Sequence, residues 1–166
     1  MYEVYVLVKR KKSVATVLLG ALFLALAVAF LIASCVSMVA FCFVIVFVFL
    51  WYLFQFQMNK EFEYSFFDGD VRFAKVMNKS RRKALKSFSM DEVIQIAPAG
   101  DRCVYKYEND QAVKVIDYTS GYKDVPYYDM IVKTQDQISL IKFEPDEKYL
   151  DAVCVKYAQK VVRRPQ

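Results

Sequence analysis

Residues 13–59 read SVATVLLGALFLALAVAFLIASCVSMVAFCFVIVFVFLWYLFQFQMN, 47 positions without one charged side chain. Lys9-Arg10-Lys11-Lys12 stands before this run and Lys60-Glu61 follows it. One helical crossing of a bilayer takes about 20 apolar residues, so the run suffices for two. A single straight helix of that length would carry its apolar side chains past the hydrocarbon and into water. The expected structure is a transmembrane helical hairpin over 13–58, with arms near 14–34 and 36–57 and a turn at Ser34-Cys35-Val36-Ser37. At ~1.5 Å per residue each arm spans about 30 Å, the thickness of the hydrocarbon layer. Residues 1–12 then form a basic N-terminal flank and residues 59–166 a separate domain.

Positive charge sets the expected orientation. Lys9 to Lys12 precede the first arm and Lys60 follows the second, while the turn between them has no charge. Short flanks rich in Lys and Arg stay cytoplasmic, so both termini are expected on the cytoplasmic side of the plasma membrane, with the lipid bilayer as the first partner. Trp51 and Tyr52 fit the aromatic belt at the lipid interface, and Tyr2 and Tyr5 lie toward the same side. Ala21, Ala25, Ala29 and Ala33 recur every four residues, a small-residue helix-packing stripe along one face of the first arm. Two uses of it stand open: packing against the phenylalanines of the second arm, or docking against a second copy or a larger membrane protein. Ile32-Ala33-Ser34-Cys35 resembles a lipoprotein cleavage site, but a second apolar run follows where such a protein would have a polar tether. Neither arm holds an Asp, Glu, Lys, Arg or His, and ion or substrate pathways need them, so transport by this chain alone is not expected.

Residues 60–166 hold 19 basic and 17 acidic side chains, a net of +2, and residues 1–12 supply the other +3 of the chain's +5. A domain this balanced is a poor nucleic-acid binder, and no nucleic-acid partner is expected. The chain contains no histidine, the commonest general base and metal ligand. Cys35, Cys42, Cys103 and Cys154 show no CxxC or CxxxC spacing, so neither a zinc site nor a redox pair is supported. The acid pairs Asp68 with Asp70 and Asp91 with Glu92 suit solvated turns. No catalytic residue, metal, cofactor or small-molecule substrate follows from the sequence, and no enzyme is expected.

From Glu61 the apolar period becomes two, with Phe62, Tyr64 and Phe66 alternating with polar residues. Asp68-Gly69 before Val71–Met77 is a strong hairpin signal. After Asn78-Lys79-Ser80-Arg81-Arg82-Lys83, a third strand is expected over 84–88, a further one within 90–98, and others over 103–107, 111–118, 127–133 and 137–144. Pro145 suits the first position of a closing helix, with Asp146 and Glu147 in its first turn. Tyr149, Leu150, Val153, Tyr157 and Val161 form its apolar stripe, and Pro165 stops it. The fold class is α+β: a helical hairpin, about seven short strands, then a C-terminal helix.

That order resembles a pleckstrin-homology-like (PH-like) barrel. Phe62–Phe67 with Asp68-Gly69, the Asn78–Lys83 turn and Pro145-Asp146-Glu147-Lys148 are similar to an uncharacterised family of small bacterial membrane proteins, in which a transmembrane hairpin precedes a PH-like domain. The resemblance implies a small antiparallel β-barrel or sandwich at the membrane, and no activity, since one fold hosts many functions.

Two functions compete. The first is a membrane-anchored, non-enzymatic interaction or scaffold domain that binds a protein partner or serves as accessory subunit of a larger membrane complex. The second is contact with anionic lipid through the basic turn, Lys79, Arg81, Arg82, Lys83 and Lys86, since each cation near an anionic leaflet contributes about 1 kcal/mol. Lipid-binding PH domains place basic residues at the first hairpin. Here that hairpin is Asp68-Gly69-Asp70, which repels a phosphate.

Overall fold

The computed structural model describes residues 3–58, 60–135 and 137–164. Strand β1 (Val4–Lys9) comes first, followed by helices α1 (Val14–Ala33) and α2 (Met38–Met58). Then come β2 (Lys60–Phe67), β3 (Asp70–Met77), β4 (Arg81–Ser89) and β5 (Val93–Pro98). Helix α3 (Arg102–Glu108), β6 (Lys114–Asp117), β7 (Tyr128–Lys133), β8 (Ile138–Phe143), α4 (Glu147–Tyr157) and a 3-10 turn (Ala158–Lys160) complete the chain.

The eight strands form two four-stranded sheets, ordered β1-β2-β3-β4 and β5-β7-β8-β6, rather than one closed barrel. The first is antiparallel throughout, while β6 runs parallel to β8 at the edge of the second. Tyr64, Phe66, Phe73 and Phe88 of the first sheet face Met130, Val132, Ile141 and Phe143 of the second across one aromatic-rich core. Tyr149, Leu150 and Val153 of α4 close it. β7 is buried from Tyr128 to Val132 because it has a core on both faces; Ile131 packs with Ala97, Leu140 and Val104 of α3 in a second, smaller cluster. A strand covered on both sides reads as a continuous apolar run instead of alternating.

The Asp68-Gly69 hairpin stands where the sequence puts it. Asp68 at φ 48° and Gly69 at φ 94° join β2 to β3, with Phe67 opposite Asp70. A Cβ on Gly69 would lie 2.7 Å from the Tyr157 hydroxyl, so both the turn and the α4 contact require glycine.

Four features differ from the sequence reading. The flank before the apolar run is not a plain tail, because residues 4–9 pair along β2 from Val4 opposite Phe66 to Lys9 opposite Glu61. Residues 103–107 are helical: Asp101 caps α3 by accepting from the Cys103 N–H at 2.9 Å, and Val104 packs inward. Pro145 lies just before α4 rather than at its first position: Asp146 is the cap, accepting from the Tyr149 N–H at 2.8 Å, and Glu147 is the first helical residue. That helix ends at Tyr157, and Val161 bridges Ile96 instead of extending the stripe. Pro165, Tyr2 and Asp136 lie outside the described residues.

The two apolar helices are long and apolar enough to cross a membrane, and most of their described side chains face outward. They meet through Thr16, Gly20, Phe23, Ala27 and Phe30 on α1 and Ala40, Phe47 and Phe54 on α2. Those spacings alternate between four and three, the period of a left-handed helix pair. Ala21, Ala25, Ala29 and Ala33 lie on the opposite face of α1 and are exposed, so the stripe does not pack the two arms together. Of the aromatic anchors, Tyr52 faces outward and Trp51 is half-buried.

Candidate functional site

Strand order brings distant basic residues to one end of the first sheet. β1 leads through residues 10–13 into α1, and a single residue separates α2 from β2. Because β1 and β2 are neighbours, both inner ends of the helix pair arrive at one place. The Arg10 N–H donates to the Lys60 carbonyl at 2.9 Å, and the Lys11 N–H donates to the Ser120 carbonyl at 2.7 Å. Ser120 is held in turn by Glu144, which accepts from its N–H at 2.9 Å and its hydroxyl at 2.8 Å. The buried Tyr64 hydroxyl donates to the Tyr118 carbonyl and pins the start of the same loop. Burial, with Glu144 adding to it, pushes the Tyr64 phenol well above its ordinary range.

These contacts frame an open cleft of about 460 Å³. The segment leaving β1 supplies Lys9, Arg10, Lys11 and Lys12, and the start of β2 supplies Lys60 and Glu61. The β3–β4 turn supplies Asn78 and Lys79, and the loop before β7 supplies Tyr122. Six cations therefore face one carboxylate. Arg10 is partly neutralised by Asp117 at 3.5 Å and covers the Phe62 ring at 5.3 Å; the Lys11 ammonium lies 5.4 Å from the Tyr122 ring centre. Lys75 borders this crowd, and burial first, then Lys60, Arg10 and Lys83, holds its pKa below the usual lysine value. Lys79 sits at φ 58°, a left-handed conformation that costs a side chain other than Gly or Asn about 1 kcal/mol.

A second cleft of about 270 Å³ shares Arg10, Lys11, Lys12 and Lys60 with the first. It reaches Ser13 and Thr16 on α1 and Phe54 on α2. The Ser13 side chain makes no capping bond, so the first-turn N–H groups of α1 have no side-chain acceptor, and the positive end of the helix adds to the cation field.

The basic turn read from the sequence is divided by the strand it starts. Lys79 lines the cleft, but Arg81 to Lys86 belong to β4, where alternation sends neighbours to opposite faces. Lys83 pairs with Lys75 on the core-facing side, whereas Arg82 lies on the other face, ion-paired with Glu63. Lys86 stands opposite Phe73, far along the strand, with its ammonium 5.7 Å from the Phe88 ring centre. Lys9 to Lys12 and Lys60, read from the sequence as orientation signals, make up most of the cleft. Only their flanking of the apolar run hints at this; Tyr122 reads in the sequence as one of an aromatic-rich stretch with Tyr118, Tyr127 and Tyr128, and nothing there places it against these lysines.

A second like-charged group is buried. Asp129 on β7 is fully inaccessible, and neither of its carboxyl oxygens meets a hydrogen-bond donor. Burial and the neighbouring Glu108 carboxylate push its pKa up to about 7, against a smaller pull from Lys142. The two acids are suited to sharing a proton, and Glu108 also accepts from the Gly100 N–H at 2.9 Å.

Among the described residues, no group of three His, Cys, Asp or Glu side chains is placed to hold a metal ion. The model of a family described as Bacterial PH-like domain (DUF6106) matches residues 2–163, a span that includes both apolar helices as well as both sheets. No curated protein and no solved structure matches the chain.

Proposed function

The chain belongs to this bacterial PH-like domain family, and from that premise we propose that it is a membrane-anchored, non-enzymatic scaffold domain held in a fixed orientation at the cytoplasmic face. One observation carries the reading: the apolar helix pair is inserted in the sequence between two adjacent, hydrogen-bonded strands, four residues after β1 and one residue before β2. A flexible tether lets a domain sample many orientations, whereas links this short would hold its height and tilt within narrow limits. The sequence has no histidine, the commonest general base, which supports a role in holding rather than in chemistry. A partner, whether another protein or a second copy of this chain, would then meet the domain at a set distance from the lipid.

Trp51, the single tryptophan, offers a direct test. In the reconstituted full chain, brominated acyl chains are expected to quench its fluorescence strongly. Lysine acylation should reach Lys114 in inverted membrane vesicles and spare it in intact spheroplasts. An unquenched Trp51, or labelling from the outer side, would reject the anchor or its orientation. Crosslinking in native membranes tests the scaffold role, and recovery of only unlinked monomer would count against it.

A further inference from the structure

We propose that the basic cleft is a binding site for the headgroup of one anionic phospholipid, of the class carrying two negative charges. The proposal rests on the anchored reading above, because the ligand is supplied by the bilayer that the helix pair enters.

Charge supplies the first argument. Lys9, Lys11, Lys12, Lys60 and Lys79 converge from three separate segments on one space, and Glu61 alone opposes them there. Like charges so placed repel one another; Lys75 beside them has its pKa lowered by burial first and then by Lys60, Arg10 and Lys83. Lys79 even occupies a left-handed position that glycine would fill at lower cost. Such an arrangement weakens the isolated fold and becomes favourable when an anion sits among the cations. With Arg10 already engaged by Asp117, several cations remain, so a dianionic headgroup is matched better than a monoanionic one.

Shape supplies the second and favours a lipid over free phosphate. The cleft runs on, through residues shared by both cavities, to Thr16 and Phe54 on the apolar helices. A phosphate held by the lysines would have its acyl chains beside α1 and α2, with the uncapped first turn of α1 at headgroup level. Tyr122, itself under the Lys11 ammonium, forms the wall away from the helices.

The test uses the full chain in phosphatidylcholine nanodiscs containing a minority of cardiolipin, of phosphatidylglycerol, or of neither, with retained lipid read by native mass spectrometry. One cardiolipin per chain is expected, retained in preference to phosphatidylglycerol. Lys11→Gln, Lys60→Gln and Lys79→Gln should each weaken retention about five-fold, the factor for one lysine near an anionic surface. Lys114→Gln, on exposed β6, should leave it unchanged. Retention that ignores lipid charge, or that the three cleft variants do not alter, overturns the proposal while Trp51 quenching keeps the anchor intact. An unquenched Trp51 overturns the anchor, and the cleft with it.

Discussion

Two regions of this molecule crowd like charges, and they resolve the crowding in opposite ways. In the cleft beneath the helix pair the charges are cationic and open to water; at α3 they are the carboxyls of Asp129 and Glu108, with Asp129 fully buried. Water screens the lysines, so all can stay charged at modest cost, and the excess is available to an outside anion. Buried acids have no such relief, and the less costly course is to keep a proton. Burial, rather than the sign or number of charges, separates the two regions.

The largest effect that would sharpen this contrast is expected at Asp129. Its native pKa of about 7 lies above the 3.8 of an unperturbed aspartate, so the folded state binds the extra proton. Stability from this group is therefore complete below about pH 4, falls as pH rises through about 7, and is absent above that. Asp129→Asn keeps the shape and gives Glu108 an N–H to accept. Stability at pH 8 should rise by about 2 kcal/mol, within the ~4 kcal/mol ceiling set by a pKa of about 7 against 3.8. Hydrogen exchange of the α3 amides at pH 5 and pH 8 measures this directly. Wild-type exchange should accelerate at the higher pH beyond its intrinsic rise, and the variant's should not; identical profiles would mean that the pair holds no proton.

A smaller effect, and one that splits stability from binding, is expected at Lys79. Lys79→Gly relieves the left-handed backbone and removes one cation from the crowd, so the melting temperature should rise, by the equivalent of about 1 kcal/mol. The same change should weaken cardiolipin retention. A variant that loses stability would show that Lys79 has a structural partner outweighing the strain, which would weaken the view of the cleft as a site kept at the fold's expense.

The acid pair and the basic cleft were unequally hidden in the sequence. The uncharged run gave both helices to within a few residues, and Asp68-Gly69 gave a hairpin, because each signal is local. β1 left no such signal, since its partner β2 begins 51 positions after β1 ends, beyond the helix pair, and no turn joins them. Cys103–Tyr107 alternates like a strand, yet the Asp101 cap and the inward Val104 make it helical. The four-residue alanine spacing is plain in the sequence, but spacing alone does not say which face meets a neighbour, and Gly20 and Ala27 take that part between α1 and α2. The cleft needs four separated segments and the acid pair needs β7 packed beneath α3, so neither exists until the sheets are assembled.

Salt gives the finest discrimination between the two regions. Exposed cations repel across distances comparable to the Debye length, which shrinks from about 30 Å at 0.01 M ionic strength to about 8 Å at 0.15 M. Raising salt over that range should therefore stabilise the chain slightly in zwitterionic nanodiscs, by a few tenths of a kcal/mol, as the cleft lysines cease to feel one another. Asp129 is fully buried, so its pH profile should move far less. Arg82→Ala serves as the surface reference, because its pair with Glu63 lies on the outer face and is expected to contribute about 0.5 kcal/mol or less. In cardiolipin nanodiscs the sign should reverse, since the lysines then attract an anion that salt also screens. Stabilisation by salt in both lipids would place the repulsion somewhere other than the cleft, and the contrast between an open, ligand-seeking charge cluster and a closed, proton-holding one would fail at its weaker member.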